Sequence, residues 1–319
     1  MQYTRITTSY TSDTIVRNLL SNRSKLVDLQ TQISSGKRIT KVSDDVLAGI
    51  SVVSANNSLS KVGNYLTNIG NAQSELDTTD TTLTSLVNSV QSARALAVQA
   101  SNGTMGTSDL QAIGAQIKQI IAQVKDLGNT KSGTNYIFGG LNTTSAPFTA
   151  PATGEVQYTG SPSTSPQRNV EISDGVTVPI NISGDQIFGQ YYTSDATTTP
   201  PTITGSGLLN TLTTLSNELD APTPDQNVIR QKLTDFDNNL QSIENAQAQL
   251  GGVSNRLDMT KTNLQNSQTN LTQIKSGAED IDMAKAISDL QFQQTALQAS
   301  LQVSAQVIQP SIMTYMSSV

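Results

Sequence analysis

The apolar positions Ile15, Leu19, Leu26, Leu29 and Ile33, with Asn22 in phase among them, are spaced alternately four and three residues apart. That alternation lays one stripe along a helix, as in a coiled-coil seam. A polar residue within such a seam sets register at some cost in stability. A second seam starts near Asp44 and runs to about Ser101 through Leu59, Val62, Leu66, Ile69, Leu76, Leu83, Val87, Val90 and Ala97. Its helix would be roughly 85 Å long at about 1.5 Å per residue. "SNGTMGTSD" ends it. Ser108 followed by Gln111 reads as a capping box opening a third helix through Leu110, Ile113, Ile117, Ile120, Val124 and Leu127.

Beyond "KSGTNYIFGG" the helical period disappears. Seven of the thirteen aromatics fall between Tyr136 and Tyr192, and "EVQYTG", "RNVEIS" and "VTVPINI" read as short strands between Gly and Pro turns. The expected core of this segment is Tyr136, Phe138, Phe148, Tyr158, Val170, Ile172 and Phe188. Helix resumes within "LLNTLTTLSNELDA". "TPDQ" at 223–226 then reads as a helix start, with Thr at the N-cap and Pro at the first turn.

The seam that follows is the longest: Ile229, Leu233, Phe236, Leu240, Ile243, Gln247, Leu250, Val253, Leu257, Thr260, Leu264, Ser267, Leu271 and Ile274. It crosses Gly251-Gly252, where a weak point or bend is expected. A last helix is expected after Gly277, seamed by Ile287, Leu290, Gln294, Leu297, Leu301, Ser304 and Ile308. Proline supports this division. Of ten prolines, nine lie between Pro147 and Pro224 and the tenth is Pro310, and proline breaks helix interiors.

The pattern predicts a mainly α fold with a β-rich insertion, built on long antiparallel coiled-coil helices from both chain ends. Three regions follow. Residues 1–43 with 278–319 form a terminal coiled-coil region, 44–134 with 206–277 a central helical bundle, and 135–205 a small β-rich outer domain at the tip. The inner helices, 45–101 and 225–276, are nearly equal in length and can satisfy each other. The terminal seams are short and interrupted by polar residues. They are expected to be weakly folded alone and to bury Ile15, Leu19, Leu26, Leu29, Ile33, Ile287, Leu290, Leu297, Leu301 and Ile308 against neighbouring subunits.

Composition narrows the chemistry. The 319 residues include no Cys, His or Trp, which excludes Cys/His zinc sites, thiol chemistry and Ser-His-Asp triads. A net charge of -6 with scattered Lys and Arg gives no tract for a nucleic-acid backbone. No run of about 18 apolar residues is available to span a membrane, and "MQYTRITTSY" is not a standard secretory signal. Apolar residues make up only 35% and charged residues 14%, which suits thin apolar stripes better than a large globular core.

Two stretches could hold a ligand. "QISSGKRITKVSDD" combines Gly36, Lys37, Arg38, Ser43, Asp44 and Asp45. A phosphate loop would need an earlier glycine and a preceding strand. The residues fit a helix–helix joint instead. Gly36 stops one helix in the left-handed conformation, Lys37 and Arg38 suit its negative end, and Ser43 N-caps the next with Asp44 and Asp45 in its first turn. "EDID" at 279–282 lacks the spacing of a calcium loop and reads as an acidic helix start. No catalytic residue, cofactor or metal is expected. An enzyme finds no supporting constellation.

"SSGKRITKVSDD", "SARALAVQASNGTMGTSDL" and "EDIDMAKAISDLQFQQTALQASLQVSAQ" resemble the ends of the bacterial flagellin family. "NYIFGGLNTTSAPF", "VQYTG" and "GDQIFG" resemble the branch of that family found at the hook–filament junction rather than the filament subunits. The likeness covers essentially the whole chain. One departure is Val46, where the family usually has Pro at the start of the long helix.

The resemblance implies a structural ring subunit, not an enzyme, that assembles with copies of itself. It would sit on the first hook-associated protein and present a flagellin-like template to the filament. Export would run through the flagellar type III apparatus to the cell exterior, after a cytoplasmic chaperone has protected the C-terminal helix. No nucleic acid or membrane partner is implied. A flagellin-type filament subunit and a type III secreted translocator or tip protein are the alternatives.

Overall fold

The computed structural model describes residues 8–149, 156–161, 167–189, 193–195, 202–204 and 207–316. Its helices are α1 (Thr8–Ser35), α2 (Val46–Ala100), α3 (Thr107–Gly128), α4 (Gly184–Phe188), α5 (Leu208–Asp220), α6 (Gln226–Glu279) and α7 (Met283–Met316). The strands are β1 (Lys131–Ser132), β2 (Asn135–Tyr136), β3 (Phe148–Thr149), β4 (Gln157–Tyr158), β5 (Asn169–Ser173), β6 (Val176–Pro179), β7 (Thr193–Asp195) and β8 (Thr202–Thr204). The chain is therefore mainly α with a β-rich insertion. It divides into two compact units, Met1–Lys61 with Asn266–Val319, and Val62–Gln265.

In the second unit the long seams are real. On α2, Val62, Ile69, Leu76, Leu83, Val90 and Ala97 are buried at seven-residue intervals. On α6, Ile229, Phe236, Ile243, Leu250, Leu257 and Leu264 are buried at the same interval. Each fully buried large apolar side chain contributes about 1.5–3 kcal/mol. The helices run antiparallel. Arg94 pairs with Asp237 at 2.7 Å, Gln247 donates to Asp80 at 3.2 Å, and Gln73 donates to Asp258 at 2.6 Å.

A chain this rich in Ser and Thr must bury hydroxyls, and α2 buries Thr79, Thr82 and Ser89. Each hydroxyl donates to the carbonyl four residues back, at 2.8, 2.8 and 2.9 Å. The donors are thereby satisfied inside their own helix. No break interrupts α6 at Gly251-Gly252. Both glycines are exposed, with open space where a Cβ would lie.

Three expected caps move. The N-cap of α3 is Gly106, and the Asp109 carboxylate accepts from its N–H at 3.4 Å, in place of the Ser108–Gln111 box. The N-cap of α6 is Asp225 rather than Thr223, with Asn227 N donating to its Oδ1 at 2.8 Å. The last helix starts after Asp282, not after Gly277, which stays inside α6. At α6 and α7 a carboxylate directly before the helix takes the role and accepts a first-turn N–H group. At α3 the carboxylate lies inside the first turn and reaches back to the N-cap N–H.

The insertion is a set of antiparallel two-stranded pairs: β1 with β2, β3 with β4, β5 with β6, and β7 with β8. The expected strand through "VTVPINI" ends at Pro179. Phe138, Phe148, Tyr158, Ile172 and Phe188 are buried as expected, while Tyr136 and Val170 are half-buried. Phe138 meets Phe188 edge-on at 5.2 Å, and the Phe148 ring packs at a tilt against both Tyr158 and Phe188. The Tyr158 hydroxyl lies 3.0 Å from the Phe138 carbonyl, 2.8 Å from the Ser161 carbonyl and 3.0 Å from Ser183 Oγ. Asn129, just after α3, holds both backbone groups of Phe148, at 2.8 and 2.9 Å. Tyr192 lies outside the described residues.

Candidate functional site

The candidate site is a surface and a joint, both in the unit that carries the chain ends. Here α1 packs along α7. On α1, Ile15, Leu19, Leu26, Leu29 and Ile33 are all half-buried, with Asn22 among them. Asn22 Nδ2 donates to Ser300 Oγ at 3.1 Å, and Gln293 Nε2 donates to the Asn22 carbonyl at 3.1 Å. The polar seam residue therefore has partners on α7.

On α7 the expected seam splits into two rows. Leu290, Gln293, Leu297, Ser300 and Ser304 are half-buried. Ile287 and Leu301 are 45% and 50% exposed, and Gln294 between them is exposed. The side chain of Ile308 is not among those described. The reason is geometric. Alternate members of a 3/4 stripe point to slightly different sides of the helix, and a single partner covers one row fully. Exposed apolar residues continue around both helices, at Val16, Leu20 and Val27 on α1 and at Phe292, 74% exposed, and Val303 on α7. Ser267 and Ile274, expected in the α6 seam, are also exposed.

Next to the joint lies a groove lined by Val42, Gly49, Ile50, Val53, Asn57 and Lys61. Val46 and Leu47 beside it are exposed, Leu47 at 80%. A Cβ at Gly49 would sit 3.1 Å from Val42, so the glycine lets the loop lie close against α2. These side chains lie outside any intramolecular core, and sequence periodicity did not single them out. The signal available was the run of apolar residues directly after the aspartates.

The joint is an ordered structure. Gly36 takes φ 70°, and Lys37 N donates to the Gln32 carbonyl at 3.2 Å, which closes the end of α1. Lys37 then pairs with Asp280 as an isolated antiparallel bridge. Arg38 N donates to the Glu279 carbonyl at 2.7 Å, and Ile281 N donates to the Gly36 carbonyl at 3.1 Å. The two breaks between helices, distant in sequence, thus form one clasp.

Its side chains complete it. Glu279, 8% exposed, receives the Lys37 ammonium and, at 3.9 Å, that of Lys275. Arg38 reaches Asp45 at 3.1 Å and the Ala278 carbonyl at 2.9 Å. The cations expected to serve the end of α1 therefore serve the end of α6 and the start of α2. Ser43 is exposed and is not the N-cap. Asp45 takes that role, with Ala48 N donating to its Oδ1 at 3.1 Å. Asp44 Oδ2 accepts from the N–H groups of Thr40 and Lys41 at 3.1 and 2.8 Å and organises the turn before the helix. Backbone donors lower the pKa of both carboxyls, Lys41 first for Asp44 and Ala48 first for Asp45, where Arg38 adds to the effect. Asp282 caps α7 in the same way, accepting from Lys285 N at 3.1 Å.

Among the described residues no group of three or more metal-ligating side chains comes together, and no helix is long and apolar enough to cross a membrane. What the residues build is a helical scaffold with a continuous pair of chain-end helices and unpartnered apolar rows.

The fold defines a class. Residues 6–143 match the bacterial flagellin N-terminal helical region, and residues 233–316 match the bacterial flagellin C-terminal helical region. The chain belongs to the bacterial flagellin family. Within it, the chain is similar over nearly its whole length to flagellar hook-associated protein 3 of Escherichia coli (strain K12), 26% identical over 294 residues, 89% of this chain and 91% of that one. It is similar as well to the flagellar filament 31.3 kDa core protein of Treponema maltophilum, 26% identical over 292 residues and 90% of each chain. Among solved structures it is similar to Bacillus cereus FlgL, with 27% identity and a TM-score of 0.53, covering 69% of this chain and 97% of that one.

Proposed function

We propose that this chain is a structural junction protein of the bacterial flagellum, not an enzyme. It forms a ring of copies of itself between hook and filament. The first hook-associated protein lies on one side and flagellin, whose assembly it templates, on the other. The observation that carries the reading is the pair of chain-end helices, whose rows at Ile287 and Leu301 and at Val16, Leu20 and Val27 have no intramolecular cover. Such rows are costly on a free monomer and useful in a subunit that closes a ring by a heterologous contact. The full-length likeness to hook-associated protein 3 supports the same reading.

The terminal pair orders fully as the subunit joins. The interface is Ile15, Leu19, Leu26, Leu29, Ile33, Ile287, Leu290, Leu297, Leu301 and Ile308, with the joint residues Gly36, Lys37, Arg38, Ser43, Asp44 and Asp45 next to it. The chain reaches the cell exterior through the flagellar type III apparatus, with a cytoplasmic chaperone on the C-terminal helix beforehand. It needs no cofactor. The three regions, 1–43 with 278–319, 44–134 with 206–277, and 135–205, divide the work into assembly, support and outer surface.

A second reading, a filament subunit, is favoured by the equal identity to the Treponema maltophilum filament core protein. Labelling the protein on intact flagella separates the two. A single band where hook meets filament is expected, and label along the whole filament would establish the second reading instead.

A further inference from the structure

We infer that the clasp between residues 36–38 and 279–281 sets the register of the terminal helix pair, with the buried Glu279 as its latch. The inference rests on the geometry of this unit and does not depend on the flagellar reading.

The seam of α1 and the rows of α7 repeat at alternating intervals of three and four. A slip of seven residues along such a pair returns every apolar row to an equivalent position. Apolar burial therefore distinguishes poorly between the native alignment and a heptad slip. Two features do distinguish them. One is Asn22, bonded to Ser300 and Gln293. The other is the clasp. It lies where α1 ends and α7 begins, so it closes the antiparallel pair as a turn closes a hairpin, although some 240 residues separate its two sides.

A backbone bridge holds the clasp in one alignment. Slipping it would break the bonds of Arg38 N to Glu279 and Ile281 N to Gly36 together. Slipping would also remove Lys37 from Glu279, leaving a buried carboxylate with only Lys275, at 3.9 Å, beside it. Breaking one side of a buried ion pair is far more costly than rearranging an exposed one. Both N-caps adjoining the clasp, Asp45 and Asp282, fix the helices on either side of it. The pair therefore zips outward from the clasp, and the chain ends order last.

The chain has no cysteine, so introduced thiols read the register directly. Asn22→Cys with Ser300→Cys marks the native alignment and removes Asn22, leaving the clasp as the register device. Leu29→Cys with Ser300→Cys, in a chain that also carries Asn22→Ala, marks the seven-residue slip. In the full-length chain the first pair should oxidise readily and the second slowly. In the Glu279→Gln and Lys37→Met backgrounds, the ratio of native to slipped cross-linking should fall by about tenfold, the loss of a charge-assisted contact. A control pair, Gln73→Cys with Asp258→Cys, should close at the parental rate. An unchanged ratio in either background overturns the inference. So does slow closure of the control pair, because the clasp would then be supporting the whole fold rather than latching the terminal pair.

Discussion

Tyr158 carries more of the insertion than its single ring suggests. Its hydroxyl meets two carbonyls and Ser183 in the interior, and burial raises its pKa. In Tyr158→Phe the Phe138 carbonyl still accepts from Gly184 N and the Ser161 carbonyl from Ser183 Oγ. The change should therefore cost only the net value of a lost hydrogen bond, about 0.5–1.5 kcal/mol, read as a lower thermal midpoint. At the joint, Asp44 and Asp45 have lowered pKa values. A depressed carboxyl contributes stability that is present above its unfolded pKa and is lost as pH falls through the folded one. The joint should thus keep its order through neutral and mildly acidic pH and loosen only below the ordinary carboxylate range, seen as lower exchange protection of the Lys41 and Ala48 amides relative to their intrinsic rates. Asp282→Ala should remove about 1 kcal/mol of cap stabilisation, read as exchange in the first turn of α7.

The seams were legible at the scale of the element because period and burial share one cause. Ile229 to Leu264 on α6 are buried as their spacing demands. Cap residues were less legible. Ser43 and Thr223 each had an aspartate two residues closer to the helix, Asp45 and Asp225, which caps it instead, and Ser108 lies inside α3, whose N-cap is Gly106. The clasp was not legible at all, since nothing local in "SSGKR" or "EDID" indicates that the two strands meet. Gly251 and Gly252 looked like a bend and are helical, with free space at both Cβ positions. Replacing both with Ala should therefore stabilise α6 by about 1–2 kcal/mol in total, measured by denaturant titration.

At the scale of the whole molecule, the chain separates a core that satisfies itself from ends that do not. The α2 and α6 seams are buried within their own unit, Leu83 and Phe236 completely, whereas the outer rows of α1 and α7 have no cover. Leu297→Asp should leave the α2–α6 core at its native melting temperature and abolish incorporation into flagella, scored by motility and by labelling. In the isolated chain, limited proteolysis should cut within the terminal helices before it cuts between Val62 and Leu264. The central claim, a junction that templates filament growth, is tested most directly by deleting the gene and measuring flagellin in the culture medium while imaging the hooks. The account predicts intact hooks without filaments and flagellin released unpolymerised. Normal filaments on the deletion strain, or a medium without flagellin, would contradict it.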